Sequence, residues 1–457
     1  MRALLACVGA LALALAGACS DDASTRFALQ ARAGTVGMGP DERITARLVP
    51  GRAVEVADKT TFFDLTMRAS APFPTVYLDN GTVDARQIEL TLNNIDPDAN
   101  AFPRLRRLPS DARRDPRCGD NQETDVADVL LAPIDVRPNA DEPKTARLTL
   151  VVPPCRTLSV SLSLPRETPE YRVAVFGSAG GSTEFVQDAL DAARAVDADY
   201  AHLLGGLATR SRVAPFGDIA AIADTSPIPV GASPAPSDLR AGATGYIDSW
   251  GQTDFTTRIG WTRLLVLDTA ERRLSAEQFN LLDEIAVSRQ PGFALFTVPP
   301  FDLGGLDDDG FRSSQQADRL YTRLVRRGFR DVVSSLGGSW ISRTFGDLHL
   351  YDTGGARTAS DDRHMVLIRL TRPWPDLVAC VYDVDCSADE FCNLGFCRER
   401  CDSDTDCSSA TTRCDNSSST CRITCDTDDD CPAPAPECGS DGFCDLEPAI
   451  IVERLFY

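Results

Sequence analysis

Between residues 43 and 165 the chain alternates short apolar or β-branched runs with turn formers. The runs cover residues 53–56, 61–67, 75–78, 88–92, 146–152 and 158–164. Leu158-Ser159-Val160-Ser161-Leu162-Ser163-Leu164 alternates strictly, which is the period of a strand buried on one face. Asn80-Gly81 and Pro97-Asp98 are turn pairs between such runs. The pattern predicts a β-sandwich over 41–166. A Cys118–Cys155 disulfide is its candidate closure, worth about 3–4 kcal/mol on loop-closure grounds.

From residue 170 the rhythm changes. A continuous apolar run at 173–176 meets Gly177-Ser178-Ala179-Gly180-Gly181-Ser182. An apolar stripe follows, Phe185, Val186, Ala189, Leu190, Ala193 and Val196. That spacing predicts a helix with Ser182 as N-cap. Further strands are predicted at 201–204, 264–267, 294–296 and 332–336. Helices between them open on Ser275-x-x-Gln278 and Ser313-x-x-Gln316, and the second stops at Gly328. Strands alternating with helices predict an α/β domain over 170–372.

The third pattern is carried by cysteine. Residues 378–446 hold three units of four: Cys380, Cys386, Cys392, Cys397; Cys401, Cys407, Cys414, Cys421; and Cys425, Cys431, Cys438, Cys444. Units this small need staples, so two disulfides per unit are expected, with three connectivities open for each. Zinc is the rival, but the paired C-x2–4-C knuckles it prefers are absent. Aspartates crowd the second cysteine of each unit, as in Asp402-Ser403-Asp404-Thr405-Asp406-Cys407, and make these edges candidate Ca2+ sites. A charged, solvated surface is the plainer reading. Asp307-Asp308-Asp309 lacks calcium-loop spacing and reads as a solvated loop. Residues 447–457 read as a C-terminal tail.

Ahead of all this, one arginine, Arg2, precedes an uncharged run over 3–16, too short to span a bilayer comfortably. Residues 1–18 read as a signal peptide. They end Leu15-Ala16-Gly17-Ala18-Cys19, which resembles the bacterial lipobox; ordinary cleavage after Ala18 is the alternative. Cysteine parity separates the two. Of 16 cysteines, Cys7 is lost with the signal, and lipidation of Cys19 leaves 14 that can all pair. Residues 19–40 would then be a lipidated N-terminus and linker. No later apolar stretch is long enough to cross a membrane as a helix. A cell-envelope location follows, at the outer membrane or cell surface in preference to the inner membrane. The membrane would be contacted through the lipid, and an envelope or extracellular protein is the expected partner class.

The formal net charge of −21 disfavours nucleic acid as a partner. Within 380–446 there are 16 acidic residues against four arginines. Lys59 and Lys144 are the only lysines among 46 basic residues, read as codon bias of a GC-rich genome.

The glycine-marked strand ends of 170–370 resemble those of the calcineurin-like metallophosphoesterase superfamily, most closely its purple-acid-phosphatase-like branch. A strand into Gly-Asp-x-Gly is similar to Phe176-Gly177-Ser178-Ala179-Gly180. A strand into Gly-Asp-x-x-Tyr is similar to Gly205-Gly206-Leu207-Ala208-Thr209. Pro-x-x-Gly-Asn-His-Glu resembles Pro229-Val230-Gly231-Ala232-Ser233-Pro234. Leu267-Asp268-Thr269 followed by Leu274 and Gln278 resembles the family's central strand and helix. His-x-Pro falls on Thr297-Val298-Pro299, and Gly-His-x-His with its later Arg falls on Gly337-Gly338-Ser339-Trp340 and Arg343. The resemblance implies a four-layer αββα sandwich behind a β-sandwich.

Where the family supplies metal ligands, this chain has Ser178, Gly206, Thr209, Ala232, Ser233, Thr297, Gly338 and Trp340. A two-metal centre needs several carboxylates or imidazoles. The three histidines, His202, His349 and His364, lie in no ligand pattern, and His202 alternates with apolar neighbours as a core residue would. No catalytic residue, metal ligand or cofactor is therefore expected. Ser178 lacks the G-x-S-x-G elbow, since residue 176 is Phe. Its loop could offer N–H groups to an anion at the helix N-terminus, but a structural turn is the simpler reading. The expected function is a lipid-anchored scaffold on a degenerate metallophosphoesterase-like domain; the alternative is an active phosphoesterase with an atypical site.

Overall fold

The computed structural model describes residues 32–39, 41–59, 61–118, 129–132, 134–136, 138–139, 142–165, 168–210, 214–287, 291–301, 310–335, 340–353, 363–371, 386, 390–393, 396–408, 412–415, 419–427, 430–431, 438, 441–444 and 449–457. Cys19, Cys380, Gly338 and Asp307–Asp309 lie outside them.

The first part of the chain forms two sheets. Its strands are β1 (Thr35–Met38), β2 (Ile44–Val49), β3 (Gly51–Asp58), β4 (Phe63–Ala69), β5 (Thr75–Asn80), β6 (Arg86–Asn93) and β7 (Asn100–Arg107). Short β8 (Val129–Leu130), β9 (Ile134–Asp135) and β10 (Pro138–Asn139) precede the long β11 (Glu142–Val152) and β12 (Arg156–Ser163). One sheet runs β1-β2-β5-β12-β7-β8 with β9 also on β7; the other runs β10-β11-β6-β4-β3. Because β5 lies in the opposite sheet, β4 and β6 can sit side by side in parallel. Leu158, Val160 and Leu162 are buried in one core with Leu148, Leu150, Leu90 and Leu65. Cys118 and Cys155 are disulfide-bonded, with Cα atoms 5.5 Å apart.

The central part has two further sheets. The first holds β13 (Glu170–Phe176), β14 (Tyr200–Leu204) and β15 (Val230–Ser233), in parallel. The second holds β16 (Phe255–Ile259), β17 (Thr262–Leu267), β18 (Gly292–Phe296), β19 (Phe329–Ser334), β20 (Ile341–Phe345) and β21 (Leu348–Asp352), in the order β16-β17-β18-β19-β21-β20. The central strands are buried on both faces, which explains their unbroken apolar runs.

Three helices serve the first of these sheets: α1 (Thr183–Ala195), α2 (Gly217–Thr225) and α3 (Pro236–Trp250). Their Phe185, Leu190, Ile219 and Tyr246 share a core with Phe176, Ala201 and Leu203. Two helices serve the second, α4 (Ala276–Glu284) and α5 (Ser314–Arg326), whose Phe279, Leu282 and Leu320 share a core with Leu265, Leu267 and Phe296. The opposite strand faces, Val173, Val175, Val266 and Leu295 among them, join the core of the first two sheets. Ser182, Ser275 and Ser313 cap their helices through N–H bonds from Phe185, Gln278 and Gln316. Gln278 completes a capping box. Gln316 instead turns its side chain to the backbone of Leu274, tying α5 to the segment ahead of α4. Gly328 ends α5 at φ +82°.

The expected C-terminal tail is a strand. β27 (Ala449–Phe456) pairs antiparallel with β22 (His364–Thr371), extending the first central sheet to β15-β14-β13-β22-β27. An apolar run, Ile450-Ile451-Val452, with a sheet edge to join, is better placed there than in water. The cysteine units are therefore an insertion between two paired strands.

Within the insertion lie β23 (Glu390–Asn393), β24 (Phe396–Glu399), β25 (Thr412–Asp415) and β26 (Thr420–Ile423), in two hairpins. Of the open connectivities, the bonds are interlaced, first to third and second to fourth: Cys401–Cys414 with Cys407–Cys421, and Cys425–Cys438 with Cys431–Cys444. Cys386–Cys397 is the second-to-fourth bond of the first unit. Within a unit the first cysteine is tied to the turn before the fourth, Cys401 N–H to Ser419 O and Cys425 N–H to Gly442 O, while Cys444 N–H donates to Ile423 O of β26 and joins the third unit to the second. Arg422 reaches from the second unit to Asp441 of the third. The chain is multidomain and mostly sheet, with a disulfide-rich C-terminal region.

Candidate functional site

The C-terminal ends of parallel strands are where open α/β sheets present loops for chemistry. Here β13, β14, β15, β17, β18 and β19 bring together most of the sequence-predicted positions. Gly205 and Gly206 leave β14 at φ +83° and +69°. A Cβ on Gly205 would stand 2.4 Å from the Ala235 Cβ, and one on Gly206 2.3 Å from the Ser178 Oγ. Glycine lets these loops approach backbone to backbone.

They are then tied to each other. Ala179 N–H donates to Gly205 O at 2.9 Å, and Gly181 N–H to Gly206 O at 2.7 Å. Ser178 N–H donates to the Ser335 Oγ at 2.9 Å, linking the two sheets. Ser182 N–H donates to Ala179 O. The N–H groups of Ser178, Ala179, Gly181 and Ser182 are thus engaged within the protein, and Phe185 N–H is taken by the Ser182 cap. Thr297 Oγ1 donates to Pro234 O at 2.8 Å, another sheet-to-sheet tie.

Asp238, in the first turn of α3 and fully buried, is the hub. Its Oδ2 accepts from Gly206 N–H at 2.9 Å and Ala235 N–H at 2.8 Å; its Oδ1 accepts from Ala208 N–H at 2.8 Å. Burial pushes its pKa up, against the pull of these N–H bonds. Sequence reading missed Asp238; a Pro at 236 followed by an acid in the first turn was its signal. A second buried carboxylate works alike. The Asp254 Oδ1 accepts from Asp268 N–H and from the Gln278 amide, whose nitrogen also reaches Asp268 O. The Leu-Asp-Thr and Gln pattern is thereby a cross-tie.

His202 is buried. Its Nδ1 lies 2.8 Å from the Tyr200 hydroxyl and its Nε2 2.8 Å from the Ser233 Oγ. Burial depresses its pKa to about 3, so the ring is neutral. Ser233 and His202 form a hydrogen-bonded pair, but neither is exposed to a substrate. Trp340 packs 5.6 Å from His364 and 6.1 Å from Tyr351, with the Arg454 guanidinium 5.5 Å from its ring. A bulky ring thus wedges between elements of both central sheets. Thr209 is half-exposed and its N–H donates to Pro215 O; Ala232 is buried; Arg343 is exposed on β20.

These residues do not fit a dimetal centre. Ser178, Gly206, Thr209, Ala232, Ser233 and Thr297 offer neither carboxylate nor imidazole, and the nearby Asp238 has both oxygens in N–H bonds. Among the described residues, the groups able to converge on one ion are Cys401, Cys407, Cys421 and Cys425, Cys431, Cys444. Their sulfurs are in disulfides. In the repeats, the Asp406 Oδ2 accepts from Asp402 and Ser403 N–H, the Asp404 Oδ1 from Cys414 N–H, and the Asp430 Oδ2 from Asp426 and Thr427 N–H. The backbone bonds hold Asp406 and Asp430 below the usual carboxylate range. These aspartates brace turns and aim at different backbone groups.

No family model and no curated protein matches this chain. Similar solved structures include GAP50, the anchor in the inner membrane complex of Plasmodium, at 10% identity and a TM-score of 0.34, over 45% of this chain and 82% of that one. A dimetal phosphatase from Danio rerio aligns at 8% identity and a TM-score of 0.36, over 45% of this chain and 96% of its own. A Thermus thermophilus protein aligns at 15% identity and a TM-score of 0.32, over 44% and 94%. At such scores the likeness carries no argument, and the architecture rests on the sheet order, register and cores described above. Among the described residues no helix is long and apolar enough to cross a membrane. The six disulfides among the described residues fit a non-cytoplasmic protein.

Proposed function

We propose that this chain is an exported, lipid-anchored scaffold whose 170–372 domain has the four-layer αββα arrangement of calcineurin-like metallophosphoesterases without their catalysis. The observation that carries the reading is Asp238. A carboxylate at the strand ends is spent on fastening three loop N–H groups, where a hydrolase would need carboxylates free for cations. The interlaced cysteine units serve as an interaction arm for an envelope or extracellular protein, and the purple-acid-phosphatase-like branch accounts for the sheets ahead of the domain. Ca2+ at the repeats remains secondary, since their carboxylates already hold backbone groups.

Two measurements test it. Purified full chain should carry far less than one equivalent of Fe, Mn or Zn and leave p-nitrophenyl phosphate intact. Near-stoichiometric metal together with turnover would establish the active-phosphoesterase alternative. Radiolabelled palmitate should enter the wild-type protein and not Cys19→Ser; equal labelling would remove the lipid anchor.

A further inference from the structure

A cleft of about 390 Å³ lies between the outer face of the β5-β12-β7 sheet and the β16–β17 hairpin, at the junction of the first and central domains. Its size falls within the roughly 300–1,000 Å³ of small-molecule sites, which favour such junctions. The lining is rich in hydroxyls, from Thr75, Tyr77, Ser161, Ser163, Thr256 and Thr257. Phe73 is buried beneath and Phe102 is half-exposed. Among the described residues no carboxylate lines the cleft, and the charged residue of the lining, Arg258, is exposed at the rim.

The arrangement is preformed. Sheet register sets Ser161 between Thr75 on β5 and Phe102 on β7. The Thr75 and Ser161 hydroxyls are 3.0 Å apart, and Thr257 Oγ1 donates to Phe73 O at 2.7 Å, clasping the hairpin to the sheet. One face of the Tyr77 ring is covered by Arg47, its guanidinium 4.7 Å from the ring centre, which fixes the ring that bears the hydroxyl.

Hydroxyls both donate and accept, so a row of them matches a ligand that does the same. With its charge confined to guanidinium groups at the rim and behind Tyr77, the hydroxyl floor itself gives little reward for net charge, and an aromatic ring beside hydroxyls suits a molecule with an apolar C–H face and a polar edge. We propose that this cleft binds a neutral saccharide, one or two sugar units of a glycan, seated against Phe102 with its hydroxyls on Thr75, Ser161, Ser163 and Thr256. The site is independent of the state of the strand ends.

Calorimetry on the full chain with maltotriose, triacetylchitotriose and inorganic phosphate tests this. At least one trisaccharide should bind with a Kd of about 1 mM, typical of a small polar contact. Ser163→Trp, which fills the cleft from its rim, should abolish that heat, and the near-isosteric Thr256→Val should weaken it roughly tenfold. Circular dichroism should show both variants folded. Absence of trisaccharide binding up to about 20 mM would overturn the assignment. So would binding that survives both substitutions, or cleft-dependent binding of phosphate alone.

Discussion

Thr371 and Ala449 are directly opposed in one ladder although residues 372–448 intervene. The insertion thus leaves and rejoins the sheet at a single point. Replacing 378–446 by a short Gly-Ser linker should leave the central domain folded, with its thermal midpoint within a few degrees of wild type. Stopping the chain at residue 447 should instead destabilise it by several kcal/mol, because β22 loses its edge partner and apolar cover from Ile450 and Val452. Thermal denaturation followed by circular dichroism compares the two.

Asp238 supplies a second test. Asp238→Ala strands three buried N–H groups and should cost about 3 kcal/mol or more in urea denaturation. Asp238→Asn, which keeps one acceptor, should fall between it and wild type.

Gly206 is where the sequence resemblance alone would put a ligand, yet its φ of +69° and its approach to Ser178 and the Gly180 backbone leave no room for a side chain. Gly206→Asp is expected to destabilise the protein by about 2 kcal/mol or more and to recruit no metal. Denaturant midpoints and metal content measure both.

Asp96 is buried at the foot of β13 and accepts from the Tyr171 hydroxyl at 3.0 Å and from Asp98 N–H. Burial raises its pKa to about 7. The folded state therefore binds more protons than the unfolded state between about pH 4 and 7, and this residue's stabilisation is lost as pH rises through that window. A shift of this size corresponds to about 4 kcal/mol. Asp96→Asn should gain on wild type by up to that amount between pH 4 and pH 8, read from urea midpoints across pH.

The disulfides should separate by loop length. The Cys118–Cys155 loop contributes about 4 kcal/mol and each repeat loop about 3 kcal/mol by loop closure. Replacing Cys118 and Cys155 by serine should lower the main melting transition. The double change Cys425→Ser, Cys438→Ser should leave that transition in place and speed proteolysis within the third unit only, as peptide mapping would show.

Elements that declare themselves locally were legible. Strict alternation marked β12, and serine caps with apolar stripes marked α1, α4 and α5. Pro103 and four arginines or asparagines broke the alternation of β7, and α2 has Phe216 at its N-cap, which offers no side-chain cap. β27 was unreadable because its partner is fixed by a ladder formed across the whole insertion. At the strand ends the glycines, and neighbours such as Ser178 and Thr297 that carry neither carboxylate nor imidazole, were visible in sequence. The fastening by Asp238, Ser335 and Gln278 was not, since each reaches across a loop or between sheets to a backbone group whose position only the fold supplies.

The interlaced units share one base on β22 and β27, and this decides how the arm carries load. A pull at its tip reaches both strands at once and in the same direction. Since β22 also pairs with β13 along most of its length, the force is resisted in shear by a whole ladder, and β27 is not peeled away bond by bond. Tension applied across the insertion is thereby borne by the β13-β22 and β22-β27 ladders together.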